Sequence, residues 1–383
     1  MAYRTTMTGS WYRPKEVLEL LAKSPTGEIP VAASAVYQKA ERDSMREQLH
    51  PLGNARGLDE VTTGQMRKAG YTTYLPNRFD GFSPTERSMM EMPPSMIEEI
   101  VESNPAMAAG MPQMMKAFSL PKIVAPLHYT GGEAAAREAQ DAVRIGKEEG
   151  APRVFVQSAS PGVITIFYPN NPEVYPDHSA YLNAMAKELR KEYEAILAVP
   201  DVILQVDAPD LAMGKQTATW GVDFYDALPK HIDAINAAVK GLPRERLRVH
   251  YCYANSVSSH KNDADFARVL PELARLQVGA LNGEFANPQH EGDLLVLKQF
   301  AKEYGWPAHL VLQAGVVDVK TAIVEHPRTV KMRLDLIAAA IGAEHTWGNS
   351  DCGFETFMAF NNVTHPVGLM KLRSLVDGAH LAG

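Results

Sequence analysis

His250 and Cys252 stand two residues apart in a short apolar run, Leu247–Cys252 (LRVHYC). On a strand, residues two apart point to the same side, so both side chains can reach one ion. Imidazole and thiolate are borderline and soft donors that suit Zn²⁺. The chain has one further thiol, Cys352. Glu284 ends another apolar run and offers a fourth, displaceable oxygen. The same residues have a plainer reading, in which the cysteines are buried small hydrophobes and His250 is a hydrogen-bonded core residue. Spacing alone leaves both readings open.

Other polar residues collect at the ends of similar runs. Gly9 and Ser10 close the first, Gln65 and Arg67 follow the second, Ser160 follows the third, and Asp207 and Asp210 end the fourth. Asp207 and Asp210 form a D-x-P-D pair that either caps a turn or positions a substrate. His290 and Glu291 share the loop that follows Glu284. Histidine titrates near neutral pH, so this pair can supply a proton to a leaving group, or it can orient metal ligands. Arg67 is placed to neutralise an anionic substrate, unless it lies on a solvated face.

These residues need a frame that brings run ends together. The runs are Arg4–Ser10, Leu58–Gly64, Arg153–Ser158, Val202–Asp207, Leu247–Cys252, Val278–Glu284, His309–Ala314 and His345–Ser350. Segments of helical period separate most of them, which implies parallel strands with crossover helices. Eight such strands close a (β/α)8 barrel, and in a barrel the strand ends converge on one face where active sites form. An open doubly wound sheet is the alternative, but no G-x-G-x-x-G or phosphate loop is present. The expected organisation is one barrel over residues 1–383 with a Met-rich helical insertion at Asp80–Leu120. Met89, Met90, Met92, Met96, Met107, Met111, Met114 and Met115 fall in it. Flexible thioethers suit adaptable packing, so the insertion packs on the barrel, makes a homo-oligomer contact or serves as a substrate lid. Lys122–Leu127 is expected to pair outside the main sheet.

Composition excludes several classes. Two cysteines in 383 residues form no disulfide framework. The net charge of −7 argues against a general nucleic-acid or anionic-membrane binder. No secretory signal and no run of 18 apolar residues is evident, so the expected compartment is the cytoplasm.

The chain resembles the cobalamin-independent methionine synthase family. The likeness is to its shorter branch, which lacks the N-terminal half of the full-length enzyme and includes epoxyalkane:coenzyme M transferase. The matching stretches are Gly9-Ser10-Trp11, Thr63–Arg67 (TGQMR), Val206–Met213 (VDAPDLAM), His250–Asn255 (HYCYAN), Gly283–Asp293 (GEFANPQHEGD) and Ser350–Phe354 (SDCGF). The resemblance implies a barrel related to uroporphyrinogen decarboxylase and a zinc ion held by His250, Cys252, Glu284 and Cys352. It also implies methyl transfer to the thiol of homocysteine. A thiol with a pKa of about 8–9 is mostly protonated at neutral pH, and zinc coordination would deprotonate it. The expected partners are therefore a small-molecule thiol and an alkyl donor.

Departures from the family narrow the substrate. Gln65 stands where the family has a glutamate, and Ala208 follows Asp207 where the family has another. An ammonium group bound by one carboxylate instead of two loses a contact worth ~1.5–3 kcal/mol. A thiol without an ammonium group, such as coenzyme M, fits at least as well, with epoxide opening as the reaction. The family's K-T-R after D-C-G-L is here Glu355-Thr356-Phe357, so a polyglutamylated folate donor is doubtful. The rivals are a metal-free decarboxylase and a non-catalytic zinc-binding barrel that binds a partner protein.

Overall fold

The computed structural model of the chain describes residues 2–23, 34–89, 94–105, 108–109, 119–214, 221–358 and 361–381. Its main sheet has seven parallel strands: β1 (Arg4–Thr5), β4 (Val154–Ala159), β5 (Val202–Asp207), β6 (Leu247–His250), β7 (Ala280–Glu284), β8 (Val311–Val317) and β9 (Thr346–Ser350), in the order β1-β9-β8-β7-β6-β5-β4. A helix follows each of β4 to β9. The strands are buried along almost their whole length. That pattern is expected of parallel strands with helices outside and packed side chains inside.

The sheet closes through the second expected strand, Leu58–Gly64, which is reduced to one bridging residue. Val61 pairs in parallel with Val154, and the Asp59 N–H donates to Thr5 O at 2.9 Å on the other side. The ladder stops there because the Gln48 side chain takes both backbone groups of Thr62, with contacts of 2.8 and 2.9 Å. The result is a (β/α)8 barrel with one very short stave.

The Asp80–Leu120 segment, expected to be helical, is in part an antiparallel ribbon. Strand β2 (Phe79–Met89) pairs with β3 (Ser119–Tyr129) outside the barrel sheet, so Lys122–Leu127 does pair away from it. Helix Pro94–Ser103 lies between them and carries Met96. Met90, Met92, Met107, Met111, Met114 and Met115 lie outside the described residues. Alternation through Phe79, Phe82, Ile123, Leu127 and Tyr129 makes a half-buried ribbon. The methionine count had hidden it. Among the described residues, no helix is long and apolar enough to cross a membrane.

One layer of the barrel interior is polar. Gln205, Arg248, Asn282 and Gln313 point inward together with Glu60. Arg248 pairs with Glu60 and donates to Gln205 Oε1 at 2.8 Å, and Asn282 donates to the same oxygen at 2.9 Å. This floor lies directly under the strand ends.

Candidate metal and substrate site

The ends of two of the barrel's strands meet at a buried donor cluster. His250 ends β6, Cys252 lies two residues past it, and Cys352 lies two residues past the end of β9. Their ligating atoms all lie within 4.8 Å of one another, and the residues are 4%, 6% and 4% exposed. His250 Nε2 is 3.7 Å from Cys352 Sγ. Four-coordinate zinc, with bonds of about 2.0–2.3 Å to nitrogen and sulfur, sets donor-to-donor edges of roughly 3.6 Å. The set therefore fits the ion. His250 Nδ1 is buried with no hydrogen-bond partner, an orphan that a purely structural histidine avoids.

The cysteines are both free thiols, and their electrostatics split them. A hydrogen bond to Cys352, together with burial, pushes the Cys252 thiol up. The same bond, helped by His250, pulls Cys352 down into the thiolate range. For His250, burial opposes charge, but the contact with Cys352 outweighs it and raises the pKa. Cys252 thus keeps its proton and Cys352 carries the negative charge beside an imidazole of raised basicity, and metal binding would displace protons from this set.

Asp207 stands beside His250 in strand register. Gln205 donates to its Oδ1 at 2.6 Å and Gln65 to its Oδ2 at 3.4 Å. Burial lifts its carboxyl to about 6, against the pull of His250 and Gln205. Gln65 is held there by a left-handed backbone at φ 59°, following Gly64 at φ 71°. Such a conformation costs a non-glycine residue about 1 kcal/mol or more and clusters at functional sites. Ser10 Oγ and Gln65 Oε1 are buried without partners. Their loops are tied to the Cys352 loop, since Trp11 N–H donates to Gly64 O and Phe354 N–H to Ser10 O. Gly353 has to be small, because a Cβ there would stand 1.9 Å from Ser10 Oγ. Gly9, at φ 133°, is likewise packed against Gln157.

Several expected site residues are committed elsewhere. Arg67 binds Glu41 at 2.7 Å and Asp141 at 2.6 Å and lies over Tyr37, which locks two outer helices together. Ser160 caps the helix Pro161–Phe167 and donates to Asp210, and Asp210 also meets His231 Nδ1 at 2.8 Å. Glu291 is 43% exposed and paired with Arg333. His290 is clamped by Asp263 and Asp293, both at 2.8 Å, and stacks on Tyr253 with centroids 3.6 Å apart. Most of these partners, Glu41, Asp141, Asp210, His231, Arg333 and Asp263, come from distant segments, which a local reading does not see.

Burial works against charge on His290, but its two carboxylate partners outweigh it and its pKa stands at about 9. The folded state therefore binds this proton more tightly than the unfolded chain. The stabilisation is complete below about pH 6.5 and is lost as pH rises through about 9. Its size is on the order of 3 kcal/mol at most. In urea denaturation, the stability gap between wild type and His290→Gln should shrink between pH 6 and pH 9.5. A constant gap would contradict the assignment of charge.

Two residues at the site escaped sequence reasoning. Tyr71 packs against Phe167 and Phe357. Burial raises its phenol well above the usual range, and the nearby Cys252, Cys352, Asp207 and Asp210 raise it further. Lys320, three residues past β8, pairs with Glu284 at 2.5 Å. The only signal in the sequence is a lone lysine closing the run VLQAGVVDVK.

Residues 96–372, well over half of the chain, match the family described as "Cobalamin-independent synthase, Catalytic domain". The chain belongs to that family. Relatives within reach of sequence comparison include the methionine synthase of Saccharolobus solfataricus, 25% identical over 98% of this chain and 93% of its own length. The methionine synthase of Sulfurisphaera tokodaii is 22% identical over 98% of this chain and 91% of its own length. Among solved structures, a B12-independent methionine synthase from Shewanella sp. W3-18-1, in complex with selenomethionine, superposes with a TM-score of 0.68. It is 19% identical and covers 99% of this chain and 97% of its own, which establishes the shared barrel. His250, Cys252 and Cys352 lie at strand ends of that barrel.

Proposed function

We propose that this chain is a zinc-dependent transferase that moves a methyl or other alkyl group to a substrate thiol. The observation that carries the reading is the buried His250–Cys252–Cys352 cluster at the strand ends, with an unpartnered imidazole nitrogen. These three residues would hold the ion, with Glu284 as the displaceable fourth donor. The ion would supply Lewis acidity, which makes a thiol nucleophilic at neutral pH. The sulfur–carbon bond forms as that carbon's bond to its leaving atom breaks, and the donor departs with the electron pair.

The chain's own residues bind and orient. Asp207, held by Gln205 and Gln65, faces the acceptor's polar end. Ser10 Oγ and Gln65 Oε1 offer further hydrogen-bonding capacity. The names of the methionine synthase relatives support methionine-forming transfer to homocysteine as the first substrate reading. The neutral amide of Gln65, hydrogen-bonded to Asp207, favours a second reading, an acceptor without an ammonium group.

Elemental analysis combined with a thiol-alkylation assay tests the proposal. The expected content is about one zinc per chain, with activity lost on chelation and restored by zinc. Less than about half a zinc per chain, with no activity gained on adding zinc, would overturn it.

A further inference from the structure

Glu284 ends β7 with its carboxylate divided between two donors. Its Oε2 takes Lys320 Nζ at 2.5 Å, and its Oε1 takes the Tyr253 N–H at 3.2 Å. Both side chains are buried, Glu284 at 0% and Lys320 at 6% exposure. The lysine is fixed from behind. Its own N–H donates to Asp318 Oδ1 at 2.9 Å, and the Asp318 N–H donates to Glu325 Oε1 at 2.8 Å. On the other side, Asp351 accepts the N–H groups of Phe285, Ala286 and Asn287 at 2.8–3.1 Å. That ties the loop after Glu284 to the residue preceding Cys352. Glu284 therefore sits on a rigid base beside the donor cluster, with an ammonium group competing for its lone pairs.

We propose that Lys320 is the positioning residue that captures the Glu284 carboxylate when a substrate thiol takes the fourth place around the ion. This rests on the zinc reading above. A buried carboxylate released with no partner pays a large desolvation penalty. Released onto Lys320, it exchanges one cationic partner for another. The Tyr253 N–H holds the second oxygen through the exchange, so the carboxylate pivots without leaving its place. Lys320 thereby sets how readily the thiol enters, and it touches neither the thiol nor the alkyl donor.

Zinc-edge absorption and chelator competition on the zinc-loaded protein test this, with homocysteine and 2-mercaptoethanesulfonate as the thiol probes. Wild type should gain one sulfur neighbour on addition of one of the two thiols. Lys320→Met should retain zinc at least as tightly, because Glu284 no longer has a rival partner. It should need about 10-fold or more thiol for the same spectral change, the loss expected for one buried charged hydrogen bond. Adding Glu284→Gln to Lys320→Met should restore thiol uptake, since a neutral amide needs no cation on release. A merely structural lysine gives no such rescue. Lys320→Gln keeps a hydrogen-bond donor of similar length without the charge and should also weaken thiol uptake, so a failure of Lys320→Met to fold still leaves a decisive variant. Zinc bound normally with unchanged thiol uptake in Lys320→Met or in Lys320→Gln overturns the capture alone. Wild-type protein that binds no zinc overturns the reading beneath it and the capture with it.

Discussion

Cys352→Ala is expected to lose both the retained metal and the alkylation of thiols. Cys352 is the residue to which the other two donors turn. His250 Nε2 lies 3.7 Å from its sulfur, and the Cys252 thiol hydrogen-bonds to it. Its environment holds it as the anion of the pair, so it is the donor already prepared for a cation. Residues that only support ligands typically cost 10–100-fold in affinity or activity when removed. A direct thiolate ligand should cost more than about 100-fold. Cys352→Ser keeps the volume but offers a hard oxygen with a much higher pKa, and it should fail almost as badly. Both variants should still fold, because Cys352 packs as a small buried group and its removal leaves little cavity. Zinc content by elemental analysis and kcat/KM for thiol alkylation decide the matter. Retained zinc with turnover within twofold of wild type would remove Cys352 from the site.

The barrel and its donor cluster were legible for different reasons. Parallel strands buried on both faces read as continuous apolar runs, and β4, β5 and β6 lie within a residue or two of the limits expected for them. The second stave was legible in place but not in length, because a side chain from elsewhere, Gln48, usurps the ladder at Thr62. The ribbon at Phe79–Met89 was misread because methionine content says nothing about period. The donor cluster was legible because the chain has only two thiols, one of them in an H-x-C that begins at the last residue of a strand. What local sequence could not give is who satisfies whom. Arg67 looked available until Glu41 and Asp141 arrived from two helices. Glu291 looked catalytic until Arg333 engaged it. Glu284 looked free to ligate, yet its lysine lies 36 positions further on. Each is a long-range ion pair, and such pairs follow from topology rather than from spacing.

Glu60→Gln is expected to destabilise the protein by about 3–5 kcal/mol, the cost of leaving a buried charge without its partner. The charge is on Arg248, which lies inside the barrel over the ring of Phe155 at 3.5 Å. Burial lowers its pKa only to about 10, so it stays cationic at neutral pH. Among the described residues, Glu60 is the carboxylate it hydrogen-bonds, and its other contacts go to neutral oxygens of Thr6, Met7 and Gln205. Removing both charges in Glu60→Gln/Arg248→Met should cost less than Glu60→Gln alone, because the cation left without Glu60, Arg153, is partly exposed. Urea denaturation of the two single variants and the double variant measures this coupling. A loss below about 1 kcal/mol for Glu60→Gln would mean that water reaches the floor. The floor also reaches the site. Gln205 accepts from Arg248 on one side and donates to Asp207 Oδ1 at 2.6 Å on the other. Arg248 and Asn282 hold its oxygen, and its nitrogen also donates to Thr8 O at 2.7 Å. Arg248→Met removes one of these holds and a cation that interacts with Asp207, so less opposes the burial of that carboxylate. The Asp207 carboxyl should rise above about 6. The thiol KM of Arg248→Met should increase most near neutral pH, where the wild-type carboxylate is ionised and the variant's is partly protonated. A pair at the bottom of the barrel thereby controls the charge of a residue at its mouth, through one glutamine whose only sequence signal was a polar side chain in the middle of a buried strand.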